Sequence, residues 1–515
     1  MAAKILWVDD EIDLLKPHIL FLEAKGYQVE TINNGSDAID LCLENEYDII
    51  FLDENMPGIS GLDALVRIKE KKPSVPIVMI TKSEEESIME EAIGGKIADY
   101  LIKPVHPNQL LLCLKKNLEH EKIVSDKVNS NYQQEFRGLG QKIDACDTIE
   151  EWIELYQKIV FWELELEKIQ DSGMTEILLS QKKEANDLFS RFIEDNYTDW
   201  LQDSKSAPEM LHTLIKNKVA PLLPSEKIYF VLIDNLRYDQ WQVLKPIVSK
   251  YFTVTKEEVV LSILPTTTHY ARNALFAGLM PSEIQKMFPK FWVTEEEEGG
   301  RNMYEKELLE ANLQRLGKSC KISYNKITNL EAGKKLVDNF NQLKSNDLNV
   351  IVYNFVDMLS HARTEMNIIK ELADDEAAYR SLTASWFEHS PLQDIFKKIA
   401  DAGGKVIITT DHGSVKVTNP IKLAGGKETN PNLRYKSGRN MTYKEKDAFS
   451  IRDPKLAFLP KSNLSSEYVF AKETDYFVYP NNYNHFVNYY MNTFQHGGIS
   501  LEELMIPYVE LVSKK

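Results

Sequence analysis

The sequence predicts an α/β fold in two parts of the chain with a helical bundle between them, and three observations predict it. Strand-length apolar runs alternate with amphipathic helical stretches over residues 1 to about 120, an apolar stripe of helical period fills about 121–215, and the alternation returns over 216–515. Short buried strands alternating with helices form a parallel sheet covered on both faces. In the first part the runs are Ile5–Val8, Ile49–Leu52, Ile77–Ile80 and Tyr100–Ile102, which suits a doubly wound sheet. In the second, Trp152, Leu155, Ile159, Trp162, Leu166 and Ile169 step by three and four, and a further stripe follows through Ala185, Leu188, Phe189, Phe192 and Ile193. Such steps gather apolar side chains on one helix face, so about three helices are expected to pack into a spacer with an ordinary core. In the third, Ile228–Ile233, Val350–Tyr353 and Val406–Ile408 read as buried strands of a larger sheet, and Glu295–Gly300 as a solvated loop.

Composition removes several classes of function. A chain of 515 residues exceeds one ordinary core. Its formal net charge of −17 does not suit a duplex-DNA binder, which needs a basic face to displace counterions. The opening Met-Ala-Ala-Lys-Ile-Leu-Trp-Val-Asp-Asp places acids directly after a short apolar run, so it reads as a strand and not as a signal peptide. No apolar stretch approaches the roughly 20 residues of a membrane span. Cys42, Cys113, Cys146 and Cys320 are scattered and form no CxxC pair, so they read as reduced thiols, and a cytoplasmic location is expected.

Chemistry-bearing residues of the first part fall at strand ends. Asp9 and Asp10 end the first run, Asp53 the second, Thr81 the third, and Lys103 follows the fourth. In a doubly wound sheet the carboxyl ends of the strands face one crevice, so these residues are expected to converge. Asp53 can attack a phosphoryl donor. A hard cation held by Asp10 and Asp53, with Asp9 nearby, neutralises the phosphoryl charge. Lys103 supplies a point charge to phosphate oxygens, and the Thr81 hydroxyl can move to bond the new phosphate. Each residue alone could be an ordinary cap or turn residue; the five coincidences together are what carry the reading. With Val-Asp-Asp-Glu, Leu-Asp-x-Asn-Met-Pro-Gly and Lys-Pro in place, residues 1–120 resemble the CheY-like receiver domains of response regulators. The resemblance implies phosphorylation of Asp53 by a sensor histidine kinase. It also implies Mg²⁺ at Asp10, Asp53 and the Asn55 carbonyl, with Tyr100 as a rotamer switch.

The third part repeats the logic with different donors. Asp234 closes a strand, Thr268 ends Leu-Pro-Thr-Thr-Thr just before a helical stretch, and Asp357 closes another strand with His361 four residues on. Asp411-His412-Gly413 closes a third strand, and His496 sits in Gln-His-Gly-Gly. Asp357 and His361 at i, i+4 share a helix face. Three aspartates, three histidines and a threonine hydroxyl suffice for two zinc ions. Two Zn²⁺ against three carboxylates and a threonine alkoxide leave the site close to neutral, and the metals make a hydroxyl usable as a nucleophile near neutral pH. Each piece alone also has a structural reading as cap or turn.

The order Asp, Pro-x-x-Thr, Asp-x-x-x-His, Asp-His-Gly, His resembles that of the alkaline-phosphatase superfamily. With the receiver (1–120) and helical segment (121–215) ahead of residues 216–515, the chain resembles the PorX-type family of receiver–PglZ regulators associated with type IX secretion. The resemblance implies one zinc on Asp357, His361 and His496 and a second on Asp234, Thr268, Asp411 and His412. The mechanism expected from it is in-line attack by Thr268 on phosphorus, followed by hydrolysis of the phosphothreonine. Arg272, four residues after Thr268, is a candidate for binding the substrate phosphate or equally for a structural ion pair. A monoester calls for an additional cation that the nearby sequence does not plainly offer, so short linear or cyclic oligonucleotides cleaved as phosphodiesters are the expected substrates. Homodimerisation on phosphorylation is implied as well. A non-enzymatic reading stays beside this one, in which the phosphorylated dimer docks on a sigma factor or secretion component and the zinc is structural. Three protein ligands on the Asp357 zinc, leaving a position open, favour catalysis.

Overall fold

A computed structural model describes residues 3–82, 97–118, 120–169, 172–203, 206–293, 300–357, 359, 375–426, 428–461 and 465–514. The chain divides into two compact units, residues 1–132 and 133–515.

The first unit is built on β1 (Lys4–Val8), β2 (Gln28–Ile32), β3 (Ile49–Asp53), β4 (Ile77–Thr81) and β5 (Asp99–Ile102). All pairings are parallel, in the order β2-β1-β3-β4-β5. Side chains alternate faces along a strand. Accordingly Leu6 and Val8 enter one core with Ala38, Leu65 and Ile68, whereas Ile5 and Trp7 enter the other with Leu22, Leu110 and Leu114. Each core is closed by helices, among them Gly35–Glu44 and Gly61–Lys71 on one face and Lys16–Ala24 and Pro107–Leu118 on the other. Asn34 and Ser60 cap the first pair by accepting the Asp37 and Asp63 backbone N–H groups.

The second unit opens with long helices. Trp152 on Ile149–Ile169 packs edge-on against Phe189 of Ser172–Gln202 at 5.5 Å, so the apolar stripes read in the sequence face each other as a core. A six-stranded sheet follows: β6 (Ile228–Ile233), β7 (Phe252–Leu261), β8 (Ile322–Ile327), β9 (Leu348–Tyr353), β10 (Lys405–Thr409) and the C-terminal strand Met505–Ser513. Their order is β7, C-terminal strand, β10, β6, β9, β8. The C-terminal strand runs antiparallel to both neighbours, and the remaining pairings are parallel. Every residue of β6 and β9 is buried, Asn349 of β9 included, as both faces of the sheet are covered. The carboxyl ends of β6, β9 and β10 therefore lie side by side. Between β10 and the C-terminal strand, residues 411–504 add three small sheets that return the chain to this edge. Among the described residues, no helix is long and apolar enough to cross a membrane.

Candidate active site

In the first unit the predicted residues meet at the carboxyl edge. One carboxylate oxygen each from Asp9, Asp10 and Asp53 lies within 4.8 Å of the others. The Lys103 Nζ is 2.7 Å from Asp9 Oδ2 and 3.2 Å from Asp53 Oδ1. Asn55 Nδ2 donates to the Thr81 hydroxyl at 3.5 Å, and Tyr100 packs against the core on its strand face. Burial pushes the Asp53 carboxyl up to about 6; Asp9 and Asp10 add to the rise and Lys103 opposes it. Three carboxylates facing one ammonium leave excess negative charge on hard oxygen donors, a set that suits a divalent cation such as Mg²⁺. Gly61 is required here, since a Cβ would run into the Asp53 carbonyl oxygen.

The second site is assembled from five segments. Asp234 directly follows β6, and its N–H donates to Tyr353 O at 2.9 Å, locking the ends of β6 and β9 together. Asp411 and His412 follow β10. Asp357 lies four residues beyond β9, in a helical turn; the sequence had placed it at the strand end itself, but ladder pairing stops at Tyr353 and residues 355–357 are helical. His361 lies outside the described residues. Thr268 opens the helix Thr268–Ala277, with Thr267 as its N-cap. Its Oγ1 is 3.1 Å from His412 Nε2 and 3.4 Å from Asp234 Oδ1. His496 Nε2 is 3.6 Å from Asp357 Oδ1. The His412 and His496 rings stack at 4.3 Å and so join the two groups.

The donor geometry fits a metal centre. Ligand atoms of Asp234, Asp411 and His412 converge within 4.8 Å. His412 Nδ1 sits 3.0 Å from Gly413 O and His496 Nδ1 sits 3.2 Å from Thr266 O. Each backbone oxygen accepts from Nδ1–H, which leaves the Nε2 lone pair facing the carboxylates, as a metal-ligating imidazole requires. Imidazole nitrogen with carboxylate and hydroxyl oxygen is a zinc-type donor set.

Arg272 belongs to this scaffold, and the ion-pair alternative is the one observed. Its guanidinium is fully buried, pairs with Asp234 through Nη2, donates from Nε to Asp411 Oδ2 at 2.9 Å, and lies 3.5 Å from Glu305 Oε1. Its Nη1 also donates to Asn354 Oδ1 at 3.4 Å, and Arg272 is not among the residues lining the cleft. Burial would raise Asp411, yet the Arg272 guanidinium holds its carboxyl below the usual range. Burial and the Asp411 and Asp357 carboxylates push Asp234 well above that range, against Arg272. A cation bound between these oxygens removes the repulsion that keeps Asp234 high.

A buried network that no local motif announces backs the ligand loops. Glu503 O accepts the Gly413 N–H at 3.1 Å, and the Glu503 carboxylate accepts the Gly498 N–H at 2.9 Å and Arg434 Nη2 at 2.6 Å. Asn186 and Lys182, on the helix Ser172–Gln202, hold the same turn. Asn186 Oδ1 accepts the Leu501 N–H at 2.8 Å, and Lys182 Nζ bridges Glu163 at 2.9 Å and Glu502 at 2.8 Å. A cleft of about 660 Å³ opens in front of Thr268, Asp357 and His496, lined also by Arg301, Tyr489 and Tyr490.

Comparison with known proteins covers most of the chain. A response regulator receiver domain matches residues 5–115, the PorX response regulator linker domain matches 122–201, and the BREX system PglZ alkaline phosphatase-like domain matches 214–511. The receiver segment is 38% identical over 113 residues to the transcriptional regulatory protein ResD of Bacillus subtilis. It is 32% identical over 115 residues to SrrA of Staphylococcus aureus. Each match covers 22% of this chain and 47% of the relative, so the chain spans about half the length of the curated relatives it matches. Among solved structures, chemotaxis protein CheY4 of Vibrio cholerae is 29% identical, over 23% of this chain and 100% of that one, with a TM-score of 0.22. DrrB of Thermotoga maritima is 29% identical, over 24% of this chain and 54% of that one, also with a TM-score of 0.22. A CheY-like receiver, a helical middle region and a mixed-sheet domain thus follow one another, and the PglZ match alone takes in more than half of the residues. The chain belongs to the PglZ alkaline-phosphatase-like family, in the PorX-type arrangement that places a response-regulator receiver and the PorX linker ahead of that domain.

Proposed function

We propose that the chain is a two-component response regulator whose output is a zinc-dependent phosphodiesterase acting on short linear or cyclic oligonucleotides. The observation that carries this reading is Thr268 Oγ1 at 3.1 Å from His412 Nε2 and 3.4 Å from Asp234 Oδ1, open to a cleft shared with Asp357 and His496. Two zinc ions, on Asp234/Thr268/Asp411/His412 and on Asp357/His361/His496, would lower the hydroxyl's pKa and offset charge on phosphorus. Thr268 Oγ1 attacks phosphorus; the Oγ–P bond forms as the ester P–O bond breaks, and the leaving alkoxide takes a proton. Water then cleaves the phosphothreonine and restores the hydroxyl. Arg272 keeps Asp234 and Asp411 oriented throughout. The N-terminus of Thr268–Ala277 adds partial positive charge where the phosphoryl oxygens lie. Among the described residues lining the cleft, Arg301 supplies the one guanidinium, which suits a singly charged diester better than a doubly charged monoester.

On this reading Asp53 takes a phosphoryl group from a sensor histidine kinase with Mg²⁺ at Asp9, Asp10, Asp53 and Asn55, while Lys103, Thr81 and Tyr100 report the change. The working division is a receiver to residue 120, a helical linker to 215 and the hydrolase beyond. Phosphorylation-driven homodimerisation and a role in type IX secretion in the cytoplasm complete the proposal. Zinc-loaded protein is assayed against bis-p-nitrophenyl phosphate, p-nitrophenyl phosphate and dinucleotides. Diester turnover should exceed monoester turnover, and Thr268→Ala should cut it by at least about a thousandfold while both zinc ions stay bound. Full activity in that variant sinks the mechanism. Absence of turnover in the zinc-bound wild type moves the reading to a docking regulator of a sigma factor or secretion component.

A further inference from the structure

The cleft has one wall whose residues take no part in the chemistry above. It is the helix Tyr483–Tyr490, none of whose residues is buried although it carries five aromatic or imidazole rings. Tyr483, Phe486, Val487 and Tyr490 rest against the small core of Val415, Val417, Tyr476 and Val478, which explains why the helix stays in place. Tyr489 has no such duty: it is 43% exposed and lines the cleft beside Thr268. Its ring lies 4.8 Å from that of Tyr490 at 87°, and 6.3 Å from the His485 ring at 22°. Two tyrosines at a right angle form a corner that offers one aromatic face and one aromatic edge to a third, flat ring. Asn430, Asn432 and Gln495 line the same cleft.

We infer that Tyr489 and Tyr490 form a stacking subsite for an unpaired nucleobase esterified to the scissile phosphate. The inference rests on the phosphodiesterase reading for the phosphate, and it adds what recognises the remainder of the substrate. Charge argues for it as well. Among the described residues lining the cleft, Arg301 is the one Lys or Arg, so a further phosphate finds few cationic partners there and uncharged contacts carry the remaining affinity. Base–aromatic stacking supplies such contacts, tolerates any base, and requires that the base be out of a duplex. The subsite thus selects short or single-stranded substrates by access to the base and not by sequence.

The test is equilibrium titration of zinc-loaded, full-length Thr268→Ala protein, which should not consume its ligand. The probes are thymidylyl-thymidine and the same diester with both bases removed. The dinucleotide should bind about tenfold or more tightly than the abasic diester, the range expected for one stacked base. Adding Tyr489→Ala should bring the dinucleotide down to the abasic level, and Tyr489→Phe should restore it, since the face and not the hydroxyl carries the contact. The dinucleotide's advantage should persist from low to high salt. Equal binding of the two probes overturns the subsite, as does a dinucleotide affinity that Tyr489→Ala leaves unchanged. Base-dependent binding without turnover in the wild type would support the subsite and sink the phosphodiesterase; turnover with equal binding of both probes would do the reverse.

Discussion

Arg272 and His269 lie on one turn of helix beside Thr268, and their surroundings give them opposite charge states. The Arg272 guanidinium is enclosed by Asp234, Asp411 and Glu305, so its charge is matched several times over. Removing one partner from a buried ion pair leaves the others uncompensated, at about 3–5 kcal/mol. Arg272→Ala should therefore lower the stability of the zinc-free protein by about that amount in urea unfolding. A substrate-contacting arginine would raise KM and leave unfolding unchanged. The buried His269 ring stacks on Trp292 at 4.6 Å. Burial, and then Arg301, push its pKa down to about 3. The sign follows from linkage: below an unfolded-state value of about 6.5 the unfolded chain takes up a proton that the native chain refuses. Stability contributed by neutral His269 is complete above that value and is lost as pH falls toward about 3. Between pH 6 and 4, His269→Phe should flatten the stability-versus-pH slope by up to about 1.4 kcal/mol per pH unit. An unchanged slope by urea titration would contradict the assignment.

At the scale of elements, a single turn supports both ligand loops. Residues Leu501–Leu504 hold Gly413, next to His412, and Gly498, two residues after His496, and Lys182 and Asn186 hold that turn from the long helix Ser172–Gln202. Gly413 has no room for a side chain, because a Cβ would overlap the Glu502 carbonyl oxygen. Gly413→Ala should displace His412 and lower zinc occupancy, with turnover falling at least about tenfold; metal analysis beside the diester assay checks both, and fully retained zinc would refute the argument. Lys182→Met leaves Glu163 and Glu502 facing each other in a buried site and should cost about 3–5 kcal/mol. Adding Glu163→Leu removes one of the two stranded charges, so the double variant should recover part of that loss in a mutant cycle. The helical segment is therefore more than a spacer: its polar face helps hold the loops that carry His412 and His496.

Over the whole molecule, the receiver core and the hydrolase core lie in separate units, 1–132 and 133–515. Both place their acids at the carboxyl edge of a mainly parallel sheet, where strand ends expose polar groups beside a buried interior. The proposed dimerisation is tested at this scale. Beryllofluoride should shift the protein from monomer toward dimer in light scattering, and Asp53→Ala should abolish the shift. A monomer that persists in saturating beryllofluoride would remove dimerisation from the proposal.

The receiver was legible from residue order because β3 and β4 end on Asp53 and Thr81 and Asp9 directly follows β1, and the alternation that buries Ile5 and Trp7 on one face and Leu6 and Val8 on the other is a local property of strands. The same holds for Asp234 after β6 and for Asp411-His412 after β10. Asp357 was misplaced by four residues, since an apolar run does not mark where ladder pairing stops. The role of Arg272 was undecided in the sequence, because Glu305 lies 33 residues away and only packing of one helix on another brings it to the guanidinium. Glu503, Lys182 and the Tyr489–Tyr490 corner carry no motif at all. The sequence determined which chemical groups stand at strand ends, a matter of periodicity and neighbours along the chain. The tertiary structure alone decided which charges are paired, which rings remain open to the cleft and which distant helix holds the ligand loops, because burial and Coulomb energy depend on distances that the chain order does not contain.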